Sequence, residues 1–131
     1  MNSMVSEKRK RGIIVKRFTF EAAHFLLGHP KCGQVHGHSW IVKISVKGEI
    51  KNHMVIDFHN LKALVDSYVI DKLDHRLLND IFEYPSCEEI SVWIWEQLKE
   101  PLQLSGVELQ RIKLCETSNN CFAYYGSDEN L

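Results

Sequence analysis

At 131 residues, 44% hydrophobic and 25% charged, the chain suits a single soluble domain with a substantial core, and its composition excludes disorder. Sixteen Lys and Arg against 17 Asp and Glu leave a net charge of −1, so no global field draws it to nucleic acid or to a membrane surface. No apolar run reaches the roughly 18 to 20 residues of a spanning helix, and the N-terminus lacks a secretory apolar stretch, so the expected location is cytoplasmic.

The chain opens on a charge run, Glu7-Lys-Arg-Lys-Arg11, read as a solvated basic tail over residues 1–12. A single domain is then expected over 13–131. The first strand spans Ile13 to His24, with Phe18 and Phe20 alternating with Arg17, Thr19 and Glu21. From His38 to Ile50 a second strand alternates: Trp40, Val42, Ile44 and Val46 take one face, and Ser39, Lys43, Ser45 and Lys47 most of the other. Asp57 opens a helix running towards Leu73, with Phe58, Leu61, Leu64, Val65, Tyr68 and Val69 at helical spacing. A second helix begins at Ser86, with Glu89 placed for a reciprocal capping box and Ile90, Trp93, Ile94 and Leu98 as its buried stripe. Val107–Cys115 and Asn120–Tyr125 follow as two strands joined by a turn.

Strand, strand, helix, helix, strand, strand predicts an α+β fold: an antiparallel four-stranded sheet with two helices on one face. The opposite face would lie bare in a monomer, which predicts an oligomer. Cys32, Cys87, Cys115 and Cys121 have no CxxC spacing, in a chain large enough to need no staples. They are expected to be free thiols, with Cys87, Cys115 and Cys121 packing and Cys32 a candidate for chemistry.

Chemistry concentrates in Cys32-Gly-Gln-Val-His36-Gly-His38. Residues i and i+2 of a strand point to one side, so His36 and His38 project together, in register with Trp40. His24 ends the first strand on the same parity. If the two strands pair, three imidazoles converge, and three neutral nitrogens with an open fourth position suit catalytic Zn²⁺. Gly37 is expected to keep the approach uncrowded. His29, His53 and His59 read as ordinary exposed or hydrogen-bonded histidines. Cys32 either completes a closed four-ligand site or stays off the metal as a base or nucleophile. Asp74-His75 is either a proton relay, in which the carboxylate sets the tautomer, or an exposed loop pair. Glu116, closing a strand, is either a rim charge or a ligand anchor.

Phe20-Glu-Ala-Ala-His24, Cys32-x-x-x-His36-Gly-His38-Ser, Val55-Ile-Asp-Phe58, Leu73-Asp-His75 with Leu78-Asn79, Trp93-Ile-Trp95 and Cys115-Glu-Thr117 occur here in order. Together they resemble the 6-pyruvoyltetrahydropterin synthase family over residues 13 to 126, and within it the 6-carboxy-5,6,7,8-tetrahydropterin synthase branch of the queuosine pathway. The three-residue gap between Cys32 and His36 is similar to that branch. Two positions depart from the family pattern: Tyr84-Pro85-Ser86 stands for the usual Asn-Pro-Thr, and Cys115 precedes Glu116 where a basic residue is common.

The resemblance implies a tunnelling fold, in which three sheets close into a barrel and two trimers stack as a hexamer. Active sites would lie between subunits, with Cys32 from one chain and Asp74-His75 from its neighbour. The implied substrate is 7,8-dihydroneopterin triphosphate, a small molecule. The implied products are 6-carboxytetrahydropterin, acetaldehyde and triphosphate, so the enzyme is a carbon–carbon lyase; the pyruvoyl synthase and a non-catalytic domain with structural zinc are the alternatives. By the same resemblance, His24, His36 and His38 hold Zn²⁺, Cys32, Asp74 and His75 are catalytic, and Glu116 with Thr117 binds the pterin. Lys16, Arg17 and Lys31 are candidate triphosphate contacts.

Overall fold

The structure, a computed structural model, describes residues 8–128 and Leu131. Residues 1–7 of the expected tail lie outside the described residues. The remainder of that tail is engaged: Arg9 Nε lies 3.7 Å from Glu49 Oε2, the Ile50 N–H donates to Lys10 O at 2.8 Å, and Arg11 already belongs to the first strand.

Strands β1 (Arg11–His24) and β2 (His36–Glu49) pair antiparallel along their whole length, from Arg11↔Glu49 to His24↔His36. A helical run follows: α1 (Phe58–Val65), a π-helical turn (Asp66–Ile70) and α2 (Asp71–Leu73). Asp57 caps α1, its carboxylate accepting the His59 N–H at 2.7 Å. Then come β3 (Arg76–Leu77), a 3₁₀ turn (Leu78–Asp80), α3 (Cys87–Leu104), β4 (Glu108–Thr117) and β5 (Asn120–Tyr124). The sheet order is β3-β1-β2-β4-β5.

The α+β class holds, but the sheet has five strands and is mixed, because β3 runs parallel to β1 through Ala22↔Arg76 and Ala23↔Leu77. A two-residue strand carries no periodicity to read.

The buried stripe of the first helical run is Leu61, Val65, Val69 and Leu73, spaced by four residues. In an ideal α-helix that spacing drifts about 40° per step. The wider i→i+5 turn at Asp66–Ile70 turns the chain less per residue and offsets the drift. Phe58 and Tyr68, expected in the stripe, are 54% and 39% exposed. α3 buries Ile90, Ile94, Leu98 and Leu102, with Trp93 edge-on to Phe82. Its cap is half of the expected box: Ser86 Oγ accepts the Glu89 N–H at 3.1 Å, while the Ser86 N–H goes to Tyr84 O.

Trp40, Val42, Ile44 and Val46 are fully buried against the helices, together with Phe18, Phe20, Ile112 and Leu114. The open face is therefore polar along β2. Arg17, Lys43 and Lys113 sit opposite one another across three strands, so the apolar row of β2 gives no argument for assembly. The most exposed apolar side chains on that face lie on β1, at Ile13 and Val15.

Cys115 and Cys121 face each other across β4 and β5 and form a disulfide, correcting the expectation of four free thiols. A separation of six residues gives no signal in sequence; ladder register brings the two sulfurs together. Cys32 and Cys87 are free. Among the described residues no helix is long and apolar enough to cross a membrane.

Candidate metal centre and flanking clefts

Antiparallel register sets His24 opposite His36, and His38 opposite Ala22. The three rings stand edge to face with centroids 4.7, 4.8 and 5.2 Å apart, and one ligand atom from each lies within 4.8 Å of the others. They rest on Trp40, whose ring is 4.9 Å from His24 and 5.3 Å from His38. Trp40 is itself fixed by stacking on Phe20 and by donating Nε1–H to Ala22 O at 3.1 Å.

Two backbone carbonyls set the tautomers. Pro85 O lies 2.8 Å from His24 Nδ1 and Gln34 O lies 2.7 Å from His36 Nδ1. A carbonyl only accepts, so both Nδ1 atoms carry the hydrogen and both Nε2 atoms keep a lone pair. Burial is the main cause that pushes the pKa of His24 and of His38 below the ordinary imidazole range, against the opposing pull of Glu116.

His24 Nε2 then faces Glu116 Oε2 at 3.4 Å, two lone-pair atoms with no proton between them. His24 Nε2 and His38 Nε2 are both buried without a hydrogen-bond partner. Such atoms are costly unless a cation satisfies them, so this donor set fits a metal ion. The cluster contains three histidines and no cysteine, which places Cys32 off the metal group and argues against a closed structural site. Gly37 does not relieve crowding from the protein: a Cβ there would meet nothing nearer than Ala22 O at 3.9 Å.

Glu116 is the extra residue where the β4–β5 register slips between Cys115↔Cys121 and Thr117↔Asn120. Alternation along β4 puts Glu116 on the side of Ile112 and Leu114, and its carboxylate faces His24 there. Glu116 shares a cleft with Cys32, His29, Cys87 and Cys121. Thr117 Oγ1 accepts the Asn119 N–H at 3.2 Å, tightening the adjoining turn. Cys87, partly buried at the start of α3, has its thiol pushed up to about 12 by burial, with Glu116 and Glu88 adding to the rise.

Asp74 and His75 lie at the other side, on the β3 edge, where His75 lines a second cleft with Glu21, His38 and Ser39. They clasp β1 at one residue: the Glu21 N–H donates to Asp74 Oδ1 at 2.8 Å, and the His75 N–H donates to Glu21 O at 2.6 Å. His75 has φ +59, an uncommon conformation for a residue with a side chain and one that concentrates at functional sites. Its Nδ1 is 3.0 Å from Asp74 Oδ2. The Glu21 N–H, followed by His75, holds the Asp74 carboxyl below its usual range. A carboxylate on Nδ1 leaves Nε2 free to carry a proton, as the relay reading requires. Asn79 clamps the chain just past His24, accepting the Phe25 N–H and donating to Phe25 O, both at 2.9 Å.

Of the candidate phosphate contacts, Lys31 adjoins Cys32, Arg17 lies on the open sheet face, and Lys16 lies over the rings of Phe18 and Phe58 at 5.7 and 5.9 Å. The Pro85 and Gln34 carbonyls, the Asn79 clamp and the bulge at Glu116 carry no signal in spacing. Only Leu78-Asn79, inside a family motif, was visible as a pattern.

The protein-family model described as 6-pyruvoyl tetrahydropterin synthase matches residues 13–127. A putative 6-carboxy-5,6,7,8-tetrahydropterin synthase from Archaeoglobus fulgidus is 40% identical over 102 residues, covering 77% of this chain and 84% of the relative. A dihydroneopterin monophosphate aldolase from Pyrococcus furiosus is 40% identical over 103 residues, covering 79% and 88%. The solved 6-pyruvoyl tetrahydropterin synthase of Caenorhabditis elegans superposes with a TM-score of 0.80 at 27% identity, covering 92% of this chain and all of that one.

Proposed function

The chain belongs to the 6-pyruvoyl tetrahydropterin synthase family and is an enzyme, a lyase resembling the 6-carboxytetrahydropterin synthases, and from that premise we propose its specific reaction. It converts 7,8-dihydroneopterin triphosphate and water to 6-carboxy-5,6,7,8-tetrahydropterin, acetaldehyde and triphosphate, in the cytoplasm, supplying queuosine biosynthesis. The observation that carries this reading is the three-histidine cluster, in which the Nε2 atoms of His24 and His38 are buried and unpartnered, flanked by a free thiol that is not part of it.

His24, His36 and His38 hold Zn²⁺. A divalent ion bound there supplies Lewis-acid stabilisation of negative charge developing on the substrate's side-chain oxygens. Cys32 takes the side-chain proton. Asp74 orients His75 through Nδ1, so that Nε2 gives and takes a proton at the pterin and its side chain. Glu116 accepts two parallel N–H bonds from the pterin edge, with Thr117 contributing its backbone. Lys31, beside Cys32, is the best placed cation for the triphosphate.

Cys32 and His75 of one chain line different clefts, which supports sites shared between copies in a barrel-forming homohexamer. The exposed Ile13 and Val15 support the same assembly.

The relative from Pyrococcus furiosus motivates a second reading, aldol cleavage of a dihydroneopterin monophosphate. One experiment separates these: incubate the zinc-loaded protein with dihydroneopterin triphosphate and, separately, with the monophosphate, and identify the products by mass spectrometry. Acetaldehyde with a carboxylated pterin, from the triphosphate, is expected. A phosphorylated two-carbon aldehyde with a hydroxymethyl pterin supports the aldolase, and a pyruvoyl pterin with every carbon retained supports the pyruvoyl synthase; either overturns the proposal.

A further inference from the structure

We infer that His29 is a positioning residue for Cys32, acting as a hydrogen-bond acceptor that shapes the loop presenting the thiol. The inference rests on the reading of Cys32 as the catalytic thiol. The loop between β1 and β2 has no ladder partners, so its backbone polar groups must be met from within. Leu26–His29 forms a β-turn in which the His29 N–H donates to Leu26 O at 3.0 Å, with Gly28 at φ +83 in the third position, as a type II turn requires. The Leu26 N–H then donates to Cys32 O at 2.6 Å, closing the loop on itself.

Two backbone donors at the thiol, those of Lys31 and Cys32, go to one atom. His29 Nδ1 accepts the Cys32 N–H at 3.0 Å and the Lys31 N–H at 3.3 Å. Accepting both requires a lone pair on Nδ1, so the ring carries its hydrogen on Nε2. Gly33 completes the arrangement: a Cβ there would stand 2.6 Å from His29 O, so only glycine lets the chain pass over that carbonyl. His29 lines the same cleft as Cys32 and Glu116. Its imidazole thus does for the backbone what an Asn or Asp side chain does in an Asx-turn, fixing the residue two or three positions on.

This geometry dictates the test. The Oδ1 of Asn occupies nearly the same place along the side chain as Nδ1 of His, whereas Ala offers no acceptor. His29→Ala and His29→Asn are compared with the unaltered protein for fold by circular dichroism, zinc content, kcat and KM, and the rate of Cys32 alkylation by iodoacetamide. His29→Ala is expected to keep its zinc, to lose about 10- to 100-fold in kcat with little change in KM, as a displaced reacting group does, and to alkylate at a rate several-fold different. His29→Asn is expected to recover kcat and alkylation rate to within a few-fold. Unchanged kcat and alkylation in His29→Ala overturn the inference. So does a folded, zinc-bearing His29→Asn that is as impaired as His29→Ala, because the ring would then act by its own chemistry. Failure of the underlying reading shows separately: Cys32→Ala with full turnover removes the thiol from the mechanism, while the alkylation rates still report whether His29 shapes the loop.

Discussion

The metal cluster and the thiol beside it come from one short stretch of chain, yet they are placed by different means. His24, His36 and His38 are aimed by ladder geometry: opposite strands, two-residue alternation and a fixed register. Cys32 lies in the irregular span between those strands, where position is set by a β-turn, a closing backbone bond and the double acceptor at His29. A ladder repeats, so its consequences can be read from spacing. A loop of this kind is solved once, by whichever side chains reach the orphan amides.

The strongest way to break this contrast is on the ladder side. His36→Ala is expected to abolish stoichiometric zinc and to cost at least the roughly 10² to 10³-fold in kcat that losing one electrostatic stabiliser costs; elemental analysis and turnover measure both. A variant that keeps its zinc would mean the cluster is not the metal site. On the loop side, Cys32→Ala should retain one zinc per chain while losing about 10² to 10⁴-fold in turnover, the range of a general base. If it purifies zinc-free, the sulfur is a ligand and the division of labour drawn here is wrong.

A smaller effect sharpens the difference between the two free thiols. With the Cys87 thiol at about 12, its thiolate fraction at pH 8 is about 10⁻⁴, so iodoacetamide under non-reducing conditions should label Cys32 and leave Cys87 unmodified. Peptide mapping that finds equal labelling would refute that assignment. The smallest effect concerns the Asp74 clasp on β1. Its carboxyl is depressed in the folded state, so its contribution to stability is complete above the ordinary value of about 3.9 and is lost as pH falls through the folded value. Asp74→Asn should flatten the acid limb of the denaturation profile relative to the unaltered protein; parallel acid limbs would show that the clasp does not matter to folding.

Wherever a period operated, the sequence was legible. The antiparallel β1–β2 pair, both major helices, the Ser86 cap and the convergence of three histidines follow from two-residue and 3.6-residue patterns. What escaped was aperiodic. β3 is too short to alternate, the Cys115–Cys121 bond depends on a register that spacing alone does not disclose, and the bulge at Glu116 arises from a single extra residue. Tyr68 satisfied the helical pattern yet lies partly outside, because the π-helical turn that contains it keeps the four-residue series in contact with the sheet instead; Phe58, in the first turn of α1, is exposed as well. Which side of β2 the helices cover was open for a related reason: alternation says which residues share a side, but not which side is covered.

Glu21, His24 and Phe25 span about two pleats at and just past the end of β1, yet they meet, in turn, the Asp74-His75 pair, the imidazole cluster and the Asn79 fork. This strand end is thus a short ruler on which three working parts are marked. Fraying there would detach all of them together, so the amides of Glu21 and Phe25 should open to hydrogen exchange as one cooperative unit. For the same reason, a residue inserted between positions 21 and 25 would not be absorbed locally: it would put the Asp74-His75 pair and the imidazoles out of step with one another.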